Sequence, residues 1–297
     1  MTVDTPRFGI VTDSNSQITD ELVERFDVEV VPLTVTIDGT DHLEGVDLDA
    51  DEFYGHFSNG HAPEIATSQP SPGAFAEAYQ RLADRGYDEI ISIHLSSAMS
   101  GTAGTAELAA HQASVPVVVV ATTTASFGVA ACVWLVGAAR ERGHSSADAI
   151  RLLHDLETRT GTAFMIGVPM LAERGGRATD VDLADDTGVP IIAMSAGQVE
   201  IIDRAVTTDD ASRAMVDYAT SWLDREPAGV TVAIGTADAP STALTAKLEQ
   251  ALAGVAGIAH VVHYRIGPSV GAHTGPGTFG LFVFPTIDDE FEARPVS

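Results

Sequence analysis

Phe8-Gly-Ile-Val-Thr-Asp-Ser-Asn-Ser16 begins as an apolar run and ends in hydroxyls and one carboxylate. The segment after it, Thr19-Asp-Glu-Leu-Val-Glu-Arg-Phe26, predicts a helix with Thr19 at the N-cap and acids in the first turn. Val28 to Leu33 then returns as a second strand. Strand, helix, strand in this order opens an α/β sheet, and such sheets bind ligands beyond the C-terminal ends of their strands. Asp13 and Ser14 stand at that end, where ligand contact and ordinary turn or cap chemistry explain them equally well.

Outward from this unit the pattern repeats. Thr34-Val-Thr-Ile-Asp-Gly-Thr40 alternates and turns at Asp38-Gly39, a hairpin signal. Asp47 to Tyr54 predicts a short helix; the spaced acids Asp47, Asp49 and Asp51 lack the glycine and terminal glutamate of a calcium loop. Ala66-Thr-Ser-Gln-Pro-Ser-Pro-Gly73 is a polar loop that leads into a helix capped by Ser71, with Pro72 at the first helical position. Thr67 and Ser68 precede that cap, so capping does not account for them. The strand Asp88 to His94 runs into Leu95-Ser-Ser-Ala-Met-Ser-Gly-Thr-Ala-Gly-Thr105, read as the hydroxyl-rich start of a helix reaching Ala110. A strand, a Ser/Gly turn and a helix N-terminus form a ready anion site in which Ser96 and Ser97 could donate; no Gly-Lys-Ser/Thr follows, so it is not a Walker loop. Val115 to Ala121 is a further strand, followed by Thr122-Thr-Thr-Ala-Ser-Phe-Gly128, an apolar helix to Arg140 and another helix capped by Ser146. Residues 1–160 are therefore expected to form a parallel-sheet α/β domain with a small hairpin insertion near 33–60.

Residues 161–297 are expected to form an α+β domain with a largely antiparallel sheet. Glu173-Arg-Gly-Gly-Arg177 breaks the apolar run before it, 180–186 reads as an exposed acidic loop, and Ala196-Gly197 turns a hairpin. Helices are predicted over 208–224 and 241–252, with strands over 230–235, 258–266 and 279–285. Gly267-Pro-Ser-Val-Gly-Ala-His-Thr-Gly-Pro-Gly277 is read as a bent loop, too rich in Gly and Pro for a helix or paired strand, that exposes His273 to a ligand.

The formal net charge is −26 and Lys247 is the only lysine. Such a surface repels nucleic acid and anionic membranes, and its scattered acids fit a halophilic, high-salt cytoplasm better than one docking face. No apolar run approaches the length of a membrane span, and Met1 to Arg7 does not resemble a signal peptide. One cysteine, Cys132, excludes an intramolecular disulfide and reads as buried helix filler. His42, His56 and His61 lack metal spacing and His94 is read as structural, so no metal is expected.

Thr67-Ser-Gln-Pro, Ser96-Ser-x-x-Ser-Gly-Thr, Arg174-Gly-Gly-Arg and His273-Thr-Gly-Pro-Gly277, with the opening Ile-Val-Thr-Asp-Ser, resemble the DegV family of fatty-acid-binding proteins. The resemblance covers nearly the whole chain, and the histidine motif is its most specific part. It implies a two-domain carrier that holds one long-chain fatty acid at the domain interface, without a cofactor. The carboxylate would meet Thr67, one of Ser96 and Ser97 (Ser97 by preference) and His273, with Thr274 and Gly275 completing the set. Hydroxyls and an imidazole satisfy a carboxylate without a lysine. Phe164, Met165, Ile166, Met194 and Phe279 could line an acyl tunnel but are read first as core. Bacterial relatives present the acid to a kinase that makes acyl phosphate, for which Arg204 is the partner contact. Several features depart from the pattern: Val189-Pro190 replaces Lys-Pro, the stretch after Arg177 is shorter, and only Arg204 is basic between Asp203 and Asp210. Ala121 also stands where an Asp is common.

Two other readings stay open. Ser97, His273 and an acid such as Asp13 could form a hydrolase triad, although no Gly-x-Ser-x-Gly elbow surrounds Ser96 or Ser97. The chain could also carry another small carboxylic acid.

Overall fold

The structure is a computed structural model, and it describes residues 7–58, 62–174, 188–195 and 198–287. In chain order the elements are β1 (Phe8–Asp13), α1 (Asp20–Arg25), β2 (Val28–Val31), β3 (Thr34–Ile37), β4 (Thr40–Leu43), α2 (Ala50–Gly55), β5 (Ile65–Ser68), α3 (Pro72–Asp84), β6 (Glu89–His94), α4 (Thr102–Ala110), β7 (Val117–Ala121), α5 (Phe127–Glu141) and α6 (Ser146–Thr158). They continue with β8 (Gly161–Met165), α7 (Pro169–Arg174), β9 (Val189–Ser195), β10 (Gln198–Ala205), α8 (Thr208–Ser221), β11 (Val230–Thr236), α9 (Ala239–Leu252), β12 (Ile258–Arg265), α10 (Pro268–Thr274) and β13 (Phe279–Pro285).

Two units divide these elements. The first takes the chain up to Leu33, then Ser68–Arg159, and Ile287; the second takes Thr34–Thr67 and Thr160–Thr286. In the first, four parallel strands lie in the order β2-β1-β6-β7, with Ile10 opposite both Val28 and Ile91. Val11, Val31 and Ile90 face α3 and α4, where they pack with Phe75, Tyr79, Leu82 and Ala106. Strand side chains alternate between faces, and α5 packs on β1 and β6 with α6 outside it. α5 is buried along nearly its whole length. A Cβ at Gly137 would stand 2.4 Å from the Phe26 ring, so glycine there is what lets Phe26 into the core. Strand order reverses between β1 and β6, the switch point at which loops part to leave a crevice.

In the second unit a six-stranded sheet runs β10-β9-β8-β13-β11-β12, antiparallel except for the β11–β12 pair, which α9 connects. α8 and α9 bury Met215, Ala219, Leu248 and Leu252 against Val230, Val232, Ile234, Phe279 and Leu281. An N-terminal parallel sheet followed by a mostly antiparallel one is the fold the sequence predicts.

Several boundaries differ from the sequence-based expectations. The hairpin near 33–60, expected in the first domain, packs in the second unit: Tyr54 Oη donates to the Ile266 carbonyl (3.0 Å) and Glu44 Oε1 accepts from the Ser269 N–H (2.9 Å). Hydroxyls 96–100 form a turn ahead of α4 instead of its first residues. Ser145, not Ser146, caps α6, and Thr19 occupies the N-cap of α1 without a side-chain bond. The 180–186 loop, the Ala196-Gly197 turn and the end of the Arg174-Gly-Gly-Arg motif lie outside the described residues.

Candidate functional site

The stretch around His273 is a helix, which corrects the loop expected there. Pro268 takes the first helical position, where a missing N–H costs nothing, and Gly275 ends the helix at φ +76°, donating its N–H to the Gly271 carbonyl at 2.7 Å. Glycine is a poor helix former, so packing must favour it here. A Cβ at Gly271 would meet Phe53 Cε1 and Tyr54 Oη at 2.7 Å, so α10 lies against α2 more closely than any larger residue would permit. The N-terminal end of α10 is already occupied by the Glu44 carboxylate on Ser269. Burial, then Asp238, Glu44 and Tyr264, hold the Tyr54 phenol well above its ordinary pKa against the opposing Arg265, so it stays a neutral donor.

His273 lies in the last turn, half-buried, and its Nε2 is 3.1 Å from Thr67 Oγ1 in β5, 206 residues earlier. Residues of two separate motifs therefore meet within one unit. Thr274 and Gly275 are adjacent but have other partners: Thr274 Oγ1 donates to the Val270 carbonyl (3.2 Å) and Gly275 donates within the helix. Beyond the helix the Gly-Pro-Gly segment is strapped down. Thr278 Oγ1 donates to the Thr274 and Gly275 carbonyls and accepts from the Gly167 N–H, all at 2.9 Å. Asp238 Oδ2 accepts from the Gly277 N–H (3.0 Å) while its Oδ1 caps α9 through the Ser241 N–H (3.0 Å). Sequence reasoning missed Asp238 and Glu44, because an isolated acid in a very acidic chain carries no signal of its own.

In the first unit Ser96 is buried and Ser97 exposed. Ser96 Oγ accepts from the Ala98 N–H (3.3 Å), and the Met99 and Ser100 N–H groups bond the Ser96 carbonyl. Ser97 thus has the free aspect on this turn and Ser96 forms its frame. Gln69, in the predicted Thr-Ser-Gln-Pro motif, lies over Gly101 and donates to Thr105 Oγ1 at 2.9 Å, which ties Gln69 to the start of α4.

The acid considered for a triad is committed elsewhere. Asp13 Oδ2 is 2.7 Å from His94 Nδ1, His94 Nε2 is 2.7 Å from Ser92 Oγ, and Ser92 Oγ is 3.0 Å from Tyr79 Oη. Asp13, Ser92 and His94 are fully buried and Tyr79 nearly so, within the layer under α3. This Asp-His-Ser order superficially matches a hydrolase, but Ser92 is sealed beneath Tyr79. Burial of the phenol, partly offset by the Ser92 bond, pushes the Tyr79 pKa up to about 12. His94 is structural, as its sequence position suggests, and Asp13 is its partner. Cys132 is buried in α5 with its thiol pushed up by burial and then by Glu157, unsuited to nucleophilic use. Among the described residues no group of three or more His, Cys, Asp or Glu is arranged to hold a metal ion, and no helix is long and apolar enough to cross a membrane. Arg204 Nη1 donates to the Gly188 carbonyl at 3.3 Å.

Compared with known proteins, residues 7–286 match the model of the DegV family, described as uncharacterised proteins. This chain belongs to the DegV family. A DegV domain-containing protein of Staphylococcus aureus is 31% identical over 281 residues, covering 92% of this chain and 97% of the relative. One from Streptomyces coelicolor is 29% identical over 278 residues, covering 93% and 97%. Among solved structures, a fatty-acid-binding DegV family protein from Thermus thermophilus superposes with a TM-score of 0.87 at 28% identity, covering 94% of this chain and all of that one. DegV of Bacillus subtilis, also described as fatty-acid-binding, shares the fold at a TM-score of 0.85 and 22% identity, covering 95% of this chain and all of its own. The DegV fold thus extends over nearly all of this sequence, including β5 and α10, which carry Thr67 and His273.

Proposed function

We propose that this DegV protein binds a long-chain fatty acid and acts as a carrier, with the acid's carboxylate held by Thr67 and His273 and by donors of the Ser96-Ser97 turn. The observation that carries the reading is the Thr67–His273 pair: a hydroxyl and an imidazole 3.1 Å apart and half-buried offer a carboxylate two adjacent polar partners with no lysine. Fatty-acid binding by the Thermus thermophilus relative, at 28% identity over nearly the full length, supports the ligand class. Ser97 is favoured over Ser96 as the contact because Ser96 serves the turn itself. Thr274 and Gly275 act by shaping the helix end, since their donors have internal partners.

Denaturing extraction of the purified protein followed by mass spectrometry should recover a fatty acid at near-stoichiometric yield. Thr67→Val, Ser97→Ala and His273→Ala should each weaken oleate binding by roughly 1–3 kcal/mol, about 5- to 150-fold, by titration calorimetry. Unchanged affinity in all three variants would reject the site. An esterase activity abolished by His273→Ala would instead favour a Ser/His hydrolase, and recovery of a short acid would favour a carrier of another carboxylate. Handing the bound acid to an acyl-phosphate-forming kinase, with Arg204 at the contact, is the further step. It is tested by adding such a kinase with ATP and measuring acyl phosphate from wild type and Arg204→Ala.

A further inference from the structure

Ser126 joins the loop after β7 to the first turn of α5 with φ 54° and ψ −143°. Gln17, Asp27 and Asp38 also have positive φ, but each lies in a turn or helix end of the kind that tolerates it. Ser126 is a buried serine between a strand and an almost wholly buried helix, so the strain there needs an external hold. Asn15 supplies one: its Oδ1 accepts the Ser126 N–H at 3.1 Å. Asn15 is itself fixed, because its N–H donates to Asp13 Oδ1 at 3.0 Å and Asp13 is locked to His94 at 2.7 Å.

On the other side of Ser126 the chain carries the hydroxyl turn. The Thr124 carbonyl accepts the Ser96 N–H at 2.8 Å, and the Thr122 N–H donates to the His94 carbonyl at 2.8 Å. The Ser96 carbonyl in turn receives the Met99 and Ser100 N–H groups. Everything after Ser126 is anchored in the buried α5, so relaxation of its backbone must be absorbed by residues 122–125. That movement would carry the Thr124 carbonyl away from Ser96.

We propose that Asn15 is a positioning residue for the turn Ser96–Ser100: it holds Ser126 at positive φ, and that conformation sets the Thr124 carbonyl to which the turn is bonded. Its relevance to ligand rests on the head-group role proposed above for this turn. The relay runs through the loops after β1, β6 and β7 of one unit.

The test is amide hydrogen exchange resolved at Ser96 in the full-length protein, together with oleate affinity. Asn15→Ala should speed Ser96 exchange at least about tenfold while Ile91 and Ile93 in β6 stay protected. Because glycine takes positive φ at no steric cost, Asn15→Ala with Ser126→Gly should return Ser96 exchange to the wild-type rate. Oleate Kd should rise about tenfold in the single variant and recover in the double one. Ser96 protection unchanged in a folded Asn15→Ala overturns the relay. Fast exchange that glycine does not correct overturns the route through Ser126. If Asn15→Ala does not fold, a double variant with wild-type Ser96 protection supports the relay, and one that is also unfolded or unprotected overturns it. If the wild type binds no oleate, the functional reading fails, while the exchange result still decides the relay.

Discussion

His273 is informative because its side chain meets Thr67 at the end of α10. Its ring stands at the end of a helix whose packing depends on the absence of a Cβ two residues earlier. Gly271→Ala should therefore push Phe53 and Tyr54 away and destabilise the protein by roughly 1–3 kcal/mol, as overpacking does. Urea unfolding would measure the loss, and an unchanged midpoint would refute the close approach. Tyr79 gives a second prediction at this scale. Its folded pKa is raised to about 12, so the neutral phenol's contribution is complete below the ordinary tyrosine value and is lost as pH rises from there through about 12. Thermal melts in alkaline buffers should show a fall in stability that is blunted in Tyr79→Phe. That variant should also lose about 1 kcal/mol at neutral pH with the bonds to Ser92 and the Ala106 carbonyl.

At the scale of elements, the sequence is most readable where periodicity and turn chemistry agree. The β1–α1–β2 opening, the Asp38-Gly39 hairpin with φ of 47° and 82°, and Ser71 with Pro72 at the start of α3 all follow local rules. α10 defeats a local reading because glycine and proline weighed by propensity alone argue against a helix. Pro268 is harmless at the first helical position, and Gly271 is favoured by α2, which no local window of sequence includes. Thr67 and His273 are legible as motif residues, but their 3.1 Å approach depends on the pairing of β5 with β3 and the packing of α10 on β3, which are long-range facts. Asp238 is invisible in the sequence for the same reason. Asp238→Ala should remove the α9 cap and the hold on the Gly277 N–H together. The expected loss is about 1–2 kcal/mol, with faster amide exchange at Gly277. Exchange at Gly277 left at the wild-type rate would separate the two roles.

For the whole molecule, charge is the largest burden: 42 acidic against 16 basic residues leave a net −26 to be tolerated by the folded state. Exposed pairs such as Lys247–Asp209 at 2.9 Å offset little of it. Raising KCl from about 0.1 to about 2 M shortens the screening length to a few ångströms and should raise Tm by roughly 5–10 °C. A flat or falling Tm in KCl would remove the case for a salt-adapted surface.

The route of the chain between the two units has a practical consequence for anyone dividing this protein. It changes unit after Leu33, Thr67, Arg159 and Thr286, so neither unit is one uninterrupted stretch of gene. A fragment begun at Thr160 would carry His273 on α10 but lack Thr67, Glu44 and the aromatic pair Phe53 and Tyr54 against which that helix rests. Half-length clones should therefore yield insoluble material. A rearranged gene in which a short linker joins 34–67 to 160–286 is the smallest piece expected to keep the histidine site intact.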